Sequence, residues 1–265
     1  MIDAHCHLDL PAFRGQVSQA LERASKAGVE AAIIAGVDPE GWDRQRELAA
    51  AHPNLHVTFG IHPWAVAKLD DEGLDAALGA LDMALRPTDG VHPVGLGELG
   101  LDRGRRVPKD SVPRQIRAFR HQLALARACD LPVVLHVVKA HGLALELAKA
   151  DNLPTAGAMV HAFSGSPEVA TEWVRLGAHV SFSTAIARPQ SRRLRAACRV
   201  IPSDRLLAET DSPDQSADPS GHGHNEPAHL PLAISAIAAS RGVSSGEIAS
   251  LTVANTRRLF NLSEG

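Results

Sequence analysis

Near its start the chain reads His5-Cys6-His7-Leu8-Asp9, two histidines separated by one residue. On an extended strand side chains alternate faces, so His5 and His7 point one way and Cys6 the other. Paired neutral imidazoles are nitrogen donors suited to zinc and related transition ions. More ligand-type residues follow at intervals: Glu98 in Gly97-Glu98-Leu99-Gly100, then His136, His161, and Asp211 in Glu209-Thr210-Asp211-Ser212-Pro213. A carboxylate set among glycines, as Glu98 is, stays open to bridge two cations. Asp211, as a ligand beside an activated water, is the candidate to accept the proton as that water attacks. The candidate metal set is therefore His5, His7, Glu98, His136, His161 and Asp211, with Asp211 and Glu98 as the catalytic carboxylates. Glu209 shares the face of Asp211; it either orients a ligand, contacts a metal or substrate, or is a structural carboxylate.

Residues so far apart in sequence meet only if the fold brings them to one place. Short apolar runs alternate with helical patterns along the whole chain. The runs are 2–8, 31–35, 56–61, 94–99, 132–137, 158–161, 178–183 and 205–210. Helical stretches at 17–27, 39–51, within 70–85, at 113–129, 141–150, 167–176 and 189–198 separate them, and further helices follow the eighth run. Near-continuous apolar strands joined by helices indicate a parallel sheet buried on both faces. A single-domain (β/α)8 TIM-type barrel over residues 1–265 is the economical solution, with a doubly wound open sheet as the alternative. In such a barrel the site lies at the C-terminal ends of the strands, where the candidate ligands fall.

Composition narrows the classes. The chain has 265 residues, 45% of them hydrophobic, and a net charge of -3, so attraction to a polyanion must come from local patches. Two basic clusters are placed for that on the same rim: Arg103, Arg105, Arg106 and Lys109, and Arg188, Arg192, Arg193 and Arg195. Aromatics are only 3% and tyrosine is absent, which argues against a long groove of stacked bases. Trp64 and Phe163 are each placed to stack on one base. Cys6, Cys129 and Cys198 form no disulfide framework, and the N-terminus lacks the basic start and apolar run of a signal peptide. A cytoplasmic protein with no membrane association and no obligate protein partner is expected.

The motifs HCHLD at 5–9, GIHP at 60–63, GELGLD at 97–102, LPVVLH at 131–136, HAFSG at 161–165, ETDSP at 209–213 and NEP at 225–227 occur in order. With the closing Asn255 and Leu259-Phe260 they resemble the TatD family of metal-dependent deoxyribonucleases, across essentially the whole chain. The resemblance implies two divalent metal ions, with zinc, manganese or magnesium all compatible with the ligand types. It places one ion on His5, His7, Glu98 and Asp211, the other on Glu98, His136 and His161, and His62 near the scissile phosphate. It implies a DNA substrate, single-stranded or damaged, hydrolysed from a strand end. Two features depart from the pattern. Where many members carry an arginine two positions after the fifth-strand histidine, this chain has Val138 and then Lys139, which can meet phosphate only as a point charge. The loop before Asn225, usually basic, reads Ser220-Gly221-His222-Gly223-His224. Two other functions fit the same residues: hydrolysis of a small ester, lactone or phosphoester, and metal or nucleic-acid binding without turnover.

Overall fold

Eight strands form one sheet in the order of the sequence, every neighbouring pair parallel. They are β1 (Ile2–Cys6), β2 (Ala31–Ala35), β3 (Leu55–Phe59), β4 (Gly95–Asp102), β5 (Val133–Val138), β6 (Ala158–Val160), β7 (His179–Phe182) and β8 (Leu206–Ala208). The structure is a computed structural model describing residues 1–86, 90–218 and 224–263, so residues 220–223 of the loop before Asn225 lie outside the described residues. Beyond β8 the backbone returns to β1. Asp211 N–H donates to the His5 carbonyl (3.0 Å) and His7 N–H to the Ser212 carbonyl (2.7 Å). The buried Asp3 carboxylate strengthens this seam by accepting from Thr210 N–H (2.8 Å) and Thr210 Oγ1–H (2.5 Å). These bonds curl the sheet into the expected barrel.

Helices α1 (Val17–Lys26), α2 (Pro39–Ala51), α3 (Pro63–Val66), α4 (Asp71–Ala84), α5 (Val112–Ala128), α6 (His141–Asp151), α7 (Pro167–Arg175) and α8 (Arg192–Val200) connect the strands. Two more, α9 (Leu230–Arg241) and α10 (Ser245–Phe260), follow β8. Local chemistry sets many of the ends. Asp38 caps α2, accepting from Gly41 N–H with Pro39 in the first turn, and Ser244 caps α10. Gly242 (φ 70°) ends α9 in the left-handed conformation. The four-residue α3 falls between the third apolar run and the helix within 70–85, where the sequence pattern assigns no element.

The strands divide their side chains by period two. Val133, Leu135, Val160, Val180 and Leu206 face the helices in the main core, with Trp42, Phe119 and Trp173. Val134, Met159 and Leu207 instead form an inner cluster with Ile33 and with Leu259 and Phe260 of α10. His136, His161 and Glu209 lie two residues after these three, so they share the inner face one layer nearer the C-terminal mouth.

Candidate metal centre

Glu98 stands at the middle of the C-terminal mouth. Gly60 lets β3 pass close enough to β4 for this, since a Cβ there would lie 2.5 Å from the Gly97 carbonyl carbon. A Cβ at Gly100 would run into the His136 carbonyl, so GELG brings β4 against both of its neighbours. Two glutamines of α5 then clamp the strand ends. Gln122 pairs with the Ile61 backbone through both amide atoms (2.8 and 3.2 Å), and Gln115 does the same for Asp102 (2.8 and 3.1 Å).

The Glu98 oxygens face different histidines. Oε2 lies 3.3 Å from both His5 Nε2 and His7 Nε2. Oε1 lies 2.8 Å from His136 Nδ1 and 2.7 Å from His161 Nε2. Asp211 Oδ1 joins the first group, 3.6 Å from His5 and 3.7 Å from His7. The other five predicted ligands thus gather around this one buried carboxylate. His62 Nε2 also approaches Oε1, at 3.4 Å, so a seventh group stands at the site.

The far nitrogens of these rings fix which nitrogen points inward. His7 Nδ1 lies 3.1 Å from the Ala35 carbonyl, an acceptor, so it carries the proton and Nε2 presents a lone pair. His136 Nε2 is held in the same way 3.2 Å from Asp102 Oδ2, and His161 Nδ1 stands 3.5 Å from Glu209 Oε1. The inward nitrogens crowd one another and a carboxylate: His5 and His7 Nε2 are 3.2 Å apart, His136 Nδ1 and His161 Nε2 are 3.1 Å apart. Such convergence is favourable only around cations, and this donor set fits divalent metal.

The carboxylates favour protonation of the neighbouring histidines. Burial opposes it, yet Asp211 and Glu98 hold His7 well above the usual histidine range, and Glu98 does the same for His161. Against its own burial, Glu98 is held well below the usual carboxylate range by His161, His62 and His5. Asp211 is held down likewise, against burial, by His7 and His161. His62 behaves differently: burial, then the neighbouring His136, pushes it to about 4. It is neutral, and because its Nδ1 accepts from Trp64 N–H (2.9 Å), Nε2 carries the proton.

A cavity of about 680 Å³ opens over these groups, lined by His7, His62, Trp64, Glu98, His136, His161 and Asp211. Arg105, Arg106, Lys139 and Arg188 stand on its walls, so both basic clusters contribute, though each only in part. Arg195 is instead spent bracing the Ile186, Arg188 and Pro189 carbonyls. Trp64 is 44% exposed and lines the cavity wall. Phe163 does not reach the cavity. It is buried against His141 and Phe182, because its N–H bonds back to the Ser181 carbonyl and draws it beside β7. Glu209 is fully buried beneath the site, accepting from Ala162 N–H (2.6 Å), and faces a ligand rather than the cavity. Cys6 points away, its thiol donating to the Ile33 carbonyl.

Sequence reading quoted Asp102 within GELGLD and gave it no role. Its Oδ2 accepts from Trp64 Nε1–H (2.7 Å) while meeting His136, and its Oδ1 accepts from Gly104 N–H (2.6 Å). One carboxylate thus aims both a histidine of the site and the exposed indole above it. The signal was its parity: Glu98, Gly100 and Asp102 share one face of β4.

A parallel eight-stranded barrel with histidines and carboxylates gathered at its C-terminal mouth defines the class of metal-dependent hydrolase barrels. The chain belongs to the TatD related DNase family, whose model matches residues 2–261. It is 34% identical to the uncharacterized metal-dependent hydrolase YjjV of Escherichia coli K12, over 98% of each chain. It is 32% identical to the 3'-5' ssDNA/RNA exonuclease TatD of Erwinia tasmaniensis, over 99% of this chain and 100% of that one. The crystal structure of the TatD homologue YjjV from Escherichia coli K12 superimposes with a TM-score of 0.90 at 33% identity, covering 99% of this chain and 98% of that one. No helix among the described residues is long and apolar enough to cross a membrane.

Proposed function

We propose that the chain is a divalent-metal-dependent nuclease that hydrolyses DNA phosphodiester bonds from a strand end. The observation that carries this reading is the division of Glu98, with one oxygen toward His5 and His7 and the other toward His136 and His161. His5, His7, Asp211 and Glu98 Oε2 would hold one ion; His136, His161 and Glu98 Oε1 would hold a second. Such ions, when bound, supply Lewis acidity to a phosphoryl oxygen and lower the pKa of water.

The chain's own groups do the rest. Asp211, ionised and at the cavity wall, accepts the proton of the attacking water. His62 donates from Nε2 to a phosphate oxygen, as its neutral state and tautomer allow. Arg105, Arg106, Lys139 and Arg188 meet flanking phosphates, and Trp64 stacks one base. A cavity with a single exposed indole suits a few terminal nucleotides. The name of the Erwinia tasmaniensis relative, a 3'-5' ssDNA/RNA exonuclease, supports the same class of substrate.

The test is end-labelled single-stranded DNA with metal-supplemented protein, beside Asp211→Asn and a panel of small esters and lactones. Shortening of DNA by the parent and its loss in Asp211→Asn is the expected result. Turnover of the small panel with no DNA cleavage would replace this reading.

A further inference from the structure

The opposite mouth of the barrel holds a second cavity, of about 610 Å³, which the hydrolytic reading does not use. It lies at the N-terminal ends of β6 and β7, whose first residues Ala158 and His179 line it with Leu259 of α10. His179 is in register with Met159 of the inner cluster and so faces the barrel interior. It is 3% exposed, and neither ring nitrogen has a partner at full hydrogen-bond geometry; the Ala158 backbone stands beside the ring as a weak acceptor. Burial, then Arg205, holds it at about 4, a neutral ring with one N–H to donate. A buried imidazole left without a full hydrogen-bond partner is costly, and the cost is relieved when a ligand bonds it.

The charged groups there are cationic. Lys149, Arg205 and Arg258 line the cavity, and among the described residues no aspartate or glutamate does. Lys149 is engaged at the rim by Glu172 (3.1 Å). The guanidiniums are anchored on one side only. Arg258 uses Nη2 for the Asp204 carbonyl (2.8 Å) and Asn255 Oδ1 (2.7 Å). Arg205 uses Nη1 for the Gly177 carbonyl (3.3 Å), with Asp204 Oδ2 3.7 Å from its Nε. Each fork is thus held in place with nitrogens to spare, the arrangement that receives a tetrahedral oxyanion. Leu153, Pro154 and Leu176 add an apolar wall, and the volume exceeds what a bare phosphate fills.

We propose that this cavity binds a small phosphate monoester, its phosphate held by Arg205, Arg258 and the His179 ring N–H and its organic part lying along Leu153, Pro154 and Leu176. The site stands apart from the hydrolytic mouth and does not depend on how that mouth is read.

Calorimetric titration of the full chain with ribose 5-phosphate, inorganic phosphate and ribose at constant ionic strength tests it. Arg205→Gln, Arg258→Gln and Asp211→Asn are run alongside, each checked for an unchanged circular dichroism spectrum and melting. Ribose 5-phosphate is expected to bind more tightly than phosphate, and ribose not at all. Each arginine variant is expected to weaken binding about tenfold or more, whereas Asp211→Asn leaves it unchanged. Absence of binding, equal binding by the parent and both arginine variants, or loss confined to Asp211→Asn would overturn the proposal. His179→Gln, which keeps one donor, should retain more affinity than His179→Leu; the reverse order would remove the ring from the site.

Discussion

The two mouths of this barrel are built from the same inward-facing strand positions and differ in what answers each buried polar group. At the C-terminal mouth His7, His136 and His161 are backed by acceptors, Ala35, Asp102 and Glu209, and aimed with His5 at the Glu98 carboxylate. At the N-terminal mouth His179 has no partner at full hydrogen-bond geometry and its charged neighbours in the cavity are cations. Charge balance is therefore opposite: one end gathers lone pairs around a place for cations, the other gathers donors around a place for an anion. The scaffold is indifferent to this, and chemistry is set by which residue type occupies each layer.

The largest break in the comparison comes from Glu98→Ala. Removing the group shared by both halves is expected to lower hydrolysis of labelled DNA by about 10³-fold or more, with metal content by mass spectrometry falling together. Equal metal loading and activity in the variant would show that the histidines act without it. Asp102→Ala comes next. Loss of the partner to His136 should cost roughly 10- to 100-fold in metal affinity or rate. Since Trp42 and Trp173 are buried and Trp64 is 44% exposed, acrylamide quenching of fluorescence reports on Trp64 and should rise even without metal. Unchanged quenching would disconnect the indole from Asp102.

Acid stability sharpens the contrast from the other side. His179 and His141 are each held at about 4, by burial first and then by Arg205 and Arg193 respectively. Between that value and the unfolded 6.5, the unfolded chain binds more protons than the native one. Their stabilising share is therefore full above about pH 6.5 and is lost as pH falls toward 4. Urea midpoints should drop over this window, by an amount on the order of 2 kcal/mol per histidine, and His141→Gln should flatten the slope. A slope identical to the parent would remove His141 from the account. The smallest effect belongs to the rim. Arg106→Ala should weaken single-stranded DNA binding a few-fold and reduce the slope of log affinity against log salt by about 0.7. An unaltered slope would mean that Arg106 meets no phosphate.

Much of this was legible in the chain itself. The barrel followed from the count of strand–helix alternations, and the ligand positions from period-two parity at strand ends, as with His136 two residues beyond Val134. What parity does not carry is the path after a strand ends. Phe163 follows His161 at the spacing of an exposed platform, but Ala162 turns in the left-handed region (φ 39°) and the chain folds back under β7. Asp102 was hidden for a related reason, since its partners Trp64 and His136 sit on α3 and β5 and only packing joins them. The clamps by Gln115 and Gln122, seven residues apart on one face of α5, carry no ligand chemistry and so no sequence signal.

The seam that closes the barrel joins the beginning of the chain to residues made much later, with the His5 carbonyl bonded to Asp211 N–H and the His7 N–H bonded to the Ser212 carbonyl. During synthesis the first two histidines emerge long before Asp211 exists to complete their group. A nascent or C-terminally truncated chain therefore holds an unfinished ligand set, and assembly of the centre is timed to the docking of the last strand. Order of translation becomes a safeguard: the chain acquires its chemistry only when the fold is whole.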